Sequence, residues 1–169
     1  MDSRFPIGEL HVPEHVTLED VQQRLQEIAS YTTRLRETVD SLNDKELNKT
    51  YREGAWTVRQ LVHHIADSQL TMYQRLKLAL TGDNPTAPDF DQKKWALLPD
   101  TELPVEPSIR MLEGINERIV ALGNSLTEAQ LHRTFIHQVN GEIKVAKKVP
   151  KLAWHEEHHL AHIEIALAK

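Results

Sequence analysis

Four stretches of this 169-residue chain repeat apolar residues at steps of three, four and seven, and that period limits the fold more than any other feature. In "TLEDVQQRLQEIASYTTRLRETVDSLN" the stripe is Leu18, Val21, Leu25, Ile28, Leu35 and Val39, with charges between. Thr17 followed by Asp20 marks the start, because a hydroxyl and an early carboxylate suit the positive end of a helix dipole. In "TVRQLVHHIADSQLTMYQRLKLALTG" the stripe is Val58, Leu61, Val62, Ile65, Met72, Leu76 and Leu80. Thr57 with Gln60 forms a capping box there, and Gly82 suits the stop. A third helix is expected from Ser108, in "SIRMLEGINERIVALGNSL". The fourth ends the chain. Its Pro150 fits only a first turn, so it begins near Val149 or starts earlier with a kink.

A proline-bearing crossover of about 25 residues joins the second stripe to the third, long enough to need structure of its own. A short helix around Trp95 is expected within it. Before the last helix, Asn140-Gly141 sits between two β-prone runs in "RTFIHQVNGEIKV", which predicts a hairpin. Four apolar stripes bury one another in an all-α four-helix bundle, here one domain over residues 1–169 with a long crossover and a small β-hairpin.

Composition removes several functions. A net charge of −5 argues against nucleic acid as the main partner. The absence of cysteine excludes disulfides, thiolate metal ligands and a cysteine nucleophile. No run nears the roughly 18 apolar residues of a membrane span, and "MDSRFPIGEL" lacks a signal-peptide core. A cytoplasmic protein acting on a small molecule is expected.

Histidine is the outlier. Six of the ten lie in two short segments, His63-His64 and "WHEEHHLAH". On a helix His158 and His162 are four residues apart, as are His155 and His159, so either pair can offer two ligands to one metal. Spacing does not choose between them, nor between His63 and His64, which flank the second stripe on opposite sides. Two imidazoles from one helix and one from another make the neutral three-nitrogen set of catalytic zinc sites, with one position open to water. Asp67 and Ser68 lie within a turn of His64 as supporting partners. Trp56 and Trp154 read as core anchors, and His132 and His137 as surface or rim residues.

The segments "YREGAWTVRQLVHHIADS" and "WHEEHHLAHI" resemble the signature segments of the DinB-like superfamily, in particular its YfiT branch of metal-dependent hydrolases. The resemblance covers nearly the whole chain. It implies an up-down-down-up bundle, a homodimer, and one divalent metal, zinc or nickel, on three histidines. Carried over by position, those ligands fall on His64, His158 and His162. Glu156 and Glu157 stand where relatives carry other polar residues, and neither is assigned a catalytic role. The implied chemistry is hydrolysis by an activated water. The rival is transfer of a low-molecular-weight, bacillithiol-like thiol. A metal-binding module without turnover is the third reading, opposed by the open fourth position.

Overall fold

The computed structural model describes residues 2–169. In chain order its elements are α1 (Leu18–Val39), α2 (Asp44–Leu47), α3 (Val58–Thr81), β1 (Thr86–Ala87), α4 (Gln92–Trp95), a 3-10 turn at Pro99–Glu102, α5 (Glu106–Asn124), α6 (Glu128–Leu131), β2 (Thr134–His137), β3 (Gly141–Lys144) and α7 (Val145–Leu167). The four long helices are the four apolar stripes, and α4 is the short helix expected around Trp95.

The start signals work as their chemistry requires. Thr17 Oγ1 accepts from the Asp20 amide while the Asp20 carboxylate accepts from the Thr17 amide, at 3.1 and 2.9 Å. Thr57 and Gln60 form the same box at the head of α3. Helix α5 begins at Glu106, ahead of the expected Ser108, because Pro107 in the first turn forfeits no helical hydrogen bond. Helix α7 begins at Val145 and carries Pro150 beyond its first turn, so the Ala146 carbonyl lacks its usual helical donor. The hairpin forms with Gly141 at φ 77°, and His137 pairs with Gly141 across it. A third strand, unforeseen in the sequence, joins it: β1, two residues of the crossover, pairs parallel to β2.

Contacts between helices give their directions. Arg36 near the end of α1 binds Glu106 and Glu113 in the first half of α5, and Leu25 faces Gly123 at the far end, so these two run antiparallel. His63 meets Ser108 and Gln69 meets Asn116, making α3 and α5 parallel. Lys147 reaches the Pro13 carbonyl before α1 and Glu157 pairs with Arg34, making α1 and α7 parallel. The order is up-down-down-up. Each of α1 and α3 packs on both α5 and α7.

Two apolar clusters fill the bundle. One gathers Leu25, Ile28, Leu76, Ile119, Phe135, Val149 and Leu152 at the hairpin end. The other gathers Tyr31, Leu35, Leu61, Ile65, Ile109, Leu112 and Ile163. Between them lies a buried polar layer. Gln69 Nε2 donates to Asn116 Oδ1 at 2.9 Å, and Asn116 Nδ2 donates to Glu156 at 2.8 Å. His64, Ser68, His155, His158 and His159 are buried at the same level.

Two glycines of α5 test this packing. A Cβ on Gly123 would stand 2.6 Å from both methyls of Leu25, which is buried and cannot swing away, whereas a Cβ on Gly114 meets nothing within 4 Å. Gly114→Ala should stabilise the protein by about 0.5–1 kcal/mol through helix propensity. Gly123→Ala should lose that gain to overpacking that typically costs about 1–3 kcal/mol. Urea unfolding of the pair measures both, and equal stabilisation would contradict the tight α1–α5 contact.

Candidate metal centre

Helices α3 and α7 face each other antiparallel, and their polar stripes meet at mid-bundle. His64 Nε2 lies 3.4 Å from His155 Nε2, which lies 3.2 Å from His159 Nε2. One ligand nitrogen from each of these three buried residues falls within 4.8 Å of the others. Around a tetrahedral ion with Zn–N bonds of 2.0–2.1 Å, ligand nitrogens stand about 3.3 Å apart. The His64–His155 and His155–His159 separations match that edge length.

The hydrogen bonds leave lone pairs pointing at this spot. His162 Nε2 is 3.0 Å from the Ser3 carbonyl, which only accepts, so this nitrogen donates and His162 Nδ1 is left as an acceptor. His159 Nδ1, 3.2 Å from it, must then donate, which frees His159 Nε2. Ser68 Oγ lies 3.3 Å from His64 Nε2, and because its hydroxyl hydrogen can rotate elsewhere, a His64 ring protonated on Nδ1 keeps its Nε2 lone pair free. A single proton on His155 Nε2 can bridge to one of these neighbours but not both. A divalent cation satisfies all three nitrogens, so the donor set fits the metal that the histidine pattern implies.

Burial keeps the donors neutral. It holds the His64 imidazole down to about 4, helped by His158, and it lowers His155 and His159 well below the usual histidine range. Trp56 covers one side of the group, with its ring 4.4 Å from that of His64. On the other side His155 and Ser68 open into a cavity of about 1080 Å³ floored by α3 and α7 and rimmed by the crossover and hairpin.

The residues singled out in the sequence separate here. His64 joins His155 and His159, while the expected partners His158 and His162 gather with His159 in a second buried group whose nitrogens are also close enough to hold an ion. The physical reason is the turn of α7. His155 and His159 share the face toward His64, while His158 lies about 60–100° away around the axis and stacks on Trp154 at 4.4 Å. His162 stacks on Tyr51 at 4.0 Å, and both of its ring nitrogens are engaged. The ambiguity on α3 resolves on hydrogen bonding: His63 Nε2 donates to the Leu103 carbonyl at 2.8 Å and its Nδ1 meets Ser108 Oγ at 2.6 Å. Asp67 makes no contact with the histidines, and burial with Asp100 nearby raises its carboxyl to about 6. Glu156 turns to Asn116 and Glu157 to Arg34.

His137, expected at the surface, is buried and ends β2 by accepting the Val139 and Asn140 amides on Nδ1, while His132 is exposed as expected. The cavity residues Arg75, Lys148 and Lys151 went unremarked in the sequence. Their signal was present, since Lys148, Lys151 and His155 recur at helical steps on one face of α7, as Ser68, Met72 and Arg75 do on α3.

The buried histidines make stability depend on pH. Their folded pKa values lie below the unfolded value near 6.5, so as the pH falls beneath that value the unfolded chain gains protons that the folded protein refuses. Metal-free protein therefore loses stability from about pH 6.5 toward about 4, by up to about 1.4 kcal/mol per unit for each such histidine. Asp67 and Glu156, both raised, act in the opposite sense. The clean observable is a difference: His155→Leu should have the shallower loss between pH 7 and 5 in urea unfolding of metal-free protein. Equal slopes would contradict a neutral, buried His155.

Comparison with known proteins identifies the family. Residues 27–163 match the DinB superfamily. A protein of Oceanobacillus iheyensis named "Putative metal-dependent hydrolase" is 72% identical over 168 residues, which is 99% of this chain and 97% of that one. YfiT from Bacillus subtilis, described as "a probable metal-dependent hydrolase with an unusual four-helix bundle topology", superposes with a TM-score of 0.93 at 34% identity, covering 97% of this chain and 95% of its own. The mycothiol-dependent maleylpyruvate isomerase shares the fold, with a TM-score of 0.66 at 14% identity over 88% of this chain and 63% of that one. No helix among the described residues is long and apolar enough to cross a membrane. By sequence match, helix order and the histidines gathered between α3 and α7, this chain belongs to the DinB superfamily and is of the YfiT type.

Proposed function

We propose that the protein is a metal-dependent hydrolase of a small molecule, with one divalent ion held by His64, His155 and His159. The convergence of three neutral, buried Nε2 atoms beside an open cavity carries this reading. Bound there, a divalent ion supplies a Lewis acid for a substrate oxygen and makes a water acidic near neutrality. Zinc and nickel both suit such a donor set. The setting is a homodimer, as the family resemblance implies, in the cytoplasm, as the sequence leads one to expect.

The chain's own residues prepare the site. His162, anchored on the Ser3 carbonyl, holds His159 in the tautomer that exposes Nε2. Trp56 excludes water from the side of His64 away from the cavity. Substrate enters past His155, whose position in the cavity wall leaves the fourth direction open. A second reading, transfer of a low-molecular-weight thiol, is favoured by the cavity's size: about 1080 Å³ lies just above the range for single small-molecule sites, roughly 300–1,000 Å³, and leaves room for a co-substrate.

Two measurements test these readings. Elemental analysis of untagged protein should find one ion per chain in the parent and in His158→Ala, and none in His64→Ala, His155→Ala or His159→Ala. His162→Asn should weaken metal binding by about 10–100-fold, the usual effect of losing a ligand's hydrogen-bond partner. Metal kept by His155→Ala and lost by His158→Ala would return the ligand set to His64, His158 and His162. In a second assay, ester or amide hydrolysis should proceed without thiol and disappear in His155→Ala. Turnover only with an added low-molecular-weight thiol would select the transferase reading.

A further inference from the structure

The cavity beside the histidines carries an unbalanced set of inner charges. Lys148 and Arg75 are buried in its wall and Lys151 is half-buried there. Lys148 Nζ has no hydrogen-bond or ion-pair partner among the described residues; it lies 5.8 Å from the ring of Phe135. Arg75 Nη2 donates to the Pro88 carbonyl at 2.9 Å, its Nε has no partner among the described residues, and Asp89 comes only to 3.9 Å. Lys151 Nζ sits 4.6 Å above the ring of Trp154. The acids of the same cavity, Glu14, Asp89, Asp91 and Glu142, are all exposed.

Burying three cations against one exposed carboxylate at 3.9 Å is unfavourable. Its strain is visible in Lys148, which burial first, then Arg75 and Lys151, push down to about 7. An anion between these groups would relieve it through charge-assisted hydrogen bonds. Their placement also sets a distance. Lys151 lies four residues and Lys148 seven before His155, a rise of about 6 and 10 Å along α7.

We infer that the cavity binds a small anionic substrate, with Arg75, Lys148 and Lys151 holding its carboxylate or phosphate about 6–10 Å along α7 from the histidine end, where the reacting bond lies. The inference rests on the proposed histidine site for that reacting end, and it adds the substrate class. Asp89, at the rim, competes for Arg75 until the anion arrives.

Calorimetric titration of metal-free protein with succinate and, separately, with inorganic phosphate at fixed ionic strength tests it. At least one probe should bind saturably, and the tighter of the two identifies the anionic group. Lys148→Met and Lys151→Met should each weaken that binding by at least about tenfold, the loss of one charged hydrogen bond. Lys45→Met, which removes an exposed charge on α2, should leave it unchanged. Lack of saturable binding by both probes, unchanged binding in both inner variants, or equal weakening by Lys45→Met would overturn the inference. Zinc titration of the same samples separates the two ideas. Normal zinc uptake without anion binding overturns only the anion site, and anion binding without zinc uptake overturns only the metal reading.

Discussion

A layer of polar side chains crosses the bundle between two apolar halves, and the positions of the site residues follow from it. Each buried polar group forfeits hydration and must be repaid by a partner of matching chemistry. Gln69, Asn116 and Glu156 find one another across α3, α5 and α7. The histidines on the other side of the layer cannot do so completely. Each neutral ring has one nitrogen without a proton, and with His155 protonated on Nδ1 three lone pairs face one point. Under the proposed function a cation there would complete the layer, and folding and metal binding would draw on the same residues.

The helix order explains why these side chains meet at all. Because α1, α5, α3 and α7 follow one another around the bundle, α3 and α7, far apart in sequence, lie side by side and antiparallel. Their facing stripes run from histidine to lysine and arginine within a single groove. The hairpin and the crossover close that groove at its charged end, where β1 pairs with β2. The long crossover thus serves the cavity as well as the topology. Neutral imidazoles at one end and buried cations with no close counter-ion among the described residues at the other give the groove a direction, and a substrate would be aligned by it.

Much of this was legible in the sequence. The apolar stripes, both capping boxes, Asn140-Gly141 and Trp95 each report a local rule, and each element they mark is present. The start of α5 was misplaced by two residues, because Pro107 fits inside its first turn, and of the two starts offered for α7 the earlier one holds. The two-residue strand β1 has no local signal; it exists only because β2 offers it an edge. The histidines were recognisable as a cluster, but which of them share a centre depends on the rotation of α7 relative to α3. A hundred degrees per residue makes His158 and His159 near neighbours in sequence that face different partners, and no spacing rule resolves that. His63 and His64 differ in the same way, with the first turned toward Leu103 and Ser108 on the far side of α3.

The central claim is that one ion is shared by His64, His155 and His159. Anomalous diffraction at the zinc absorption edge, from crystals grown with zinc, locates the ion independently of any activity. The predicted result is one strong peak about 2.0–2.1 Å from the Nε2 atoms of these three residues. A peak ligated by His158 and His162 instead, with His155 left free, would contradict it.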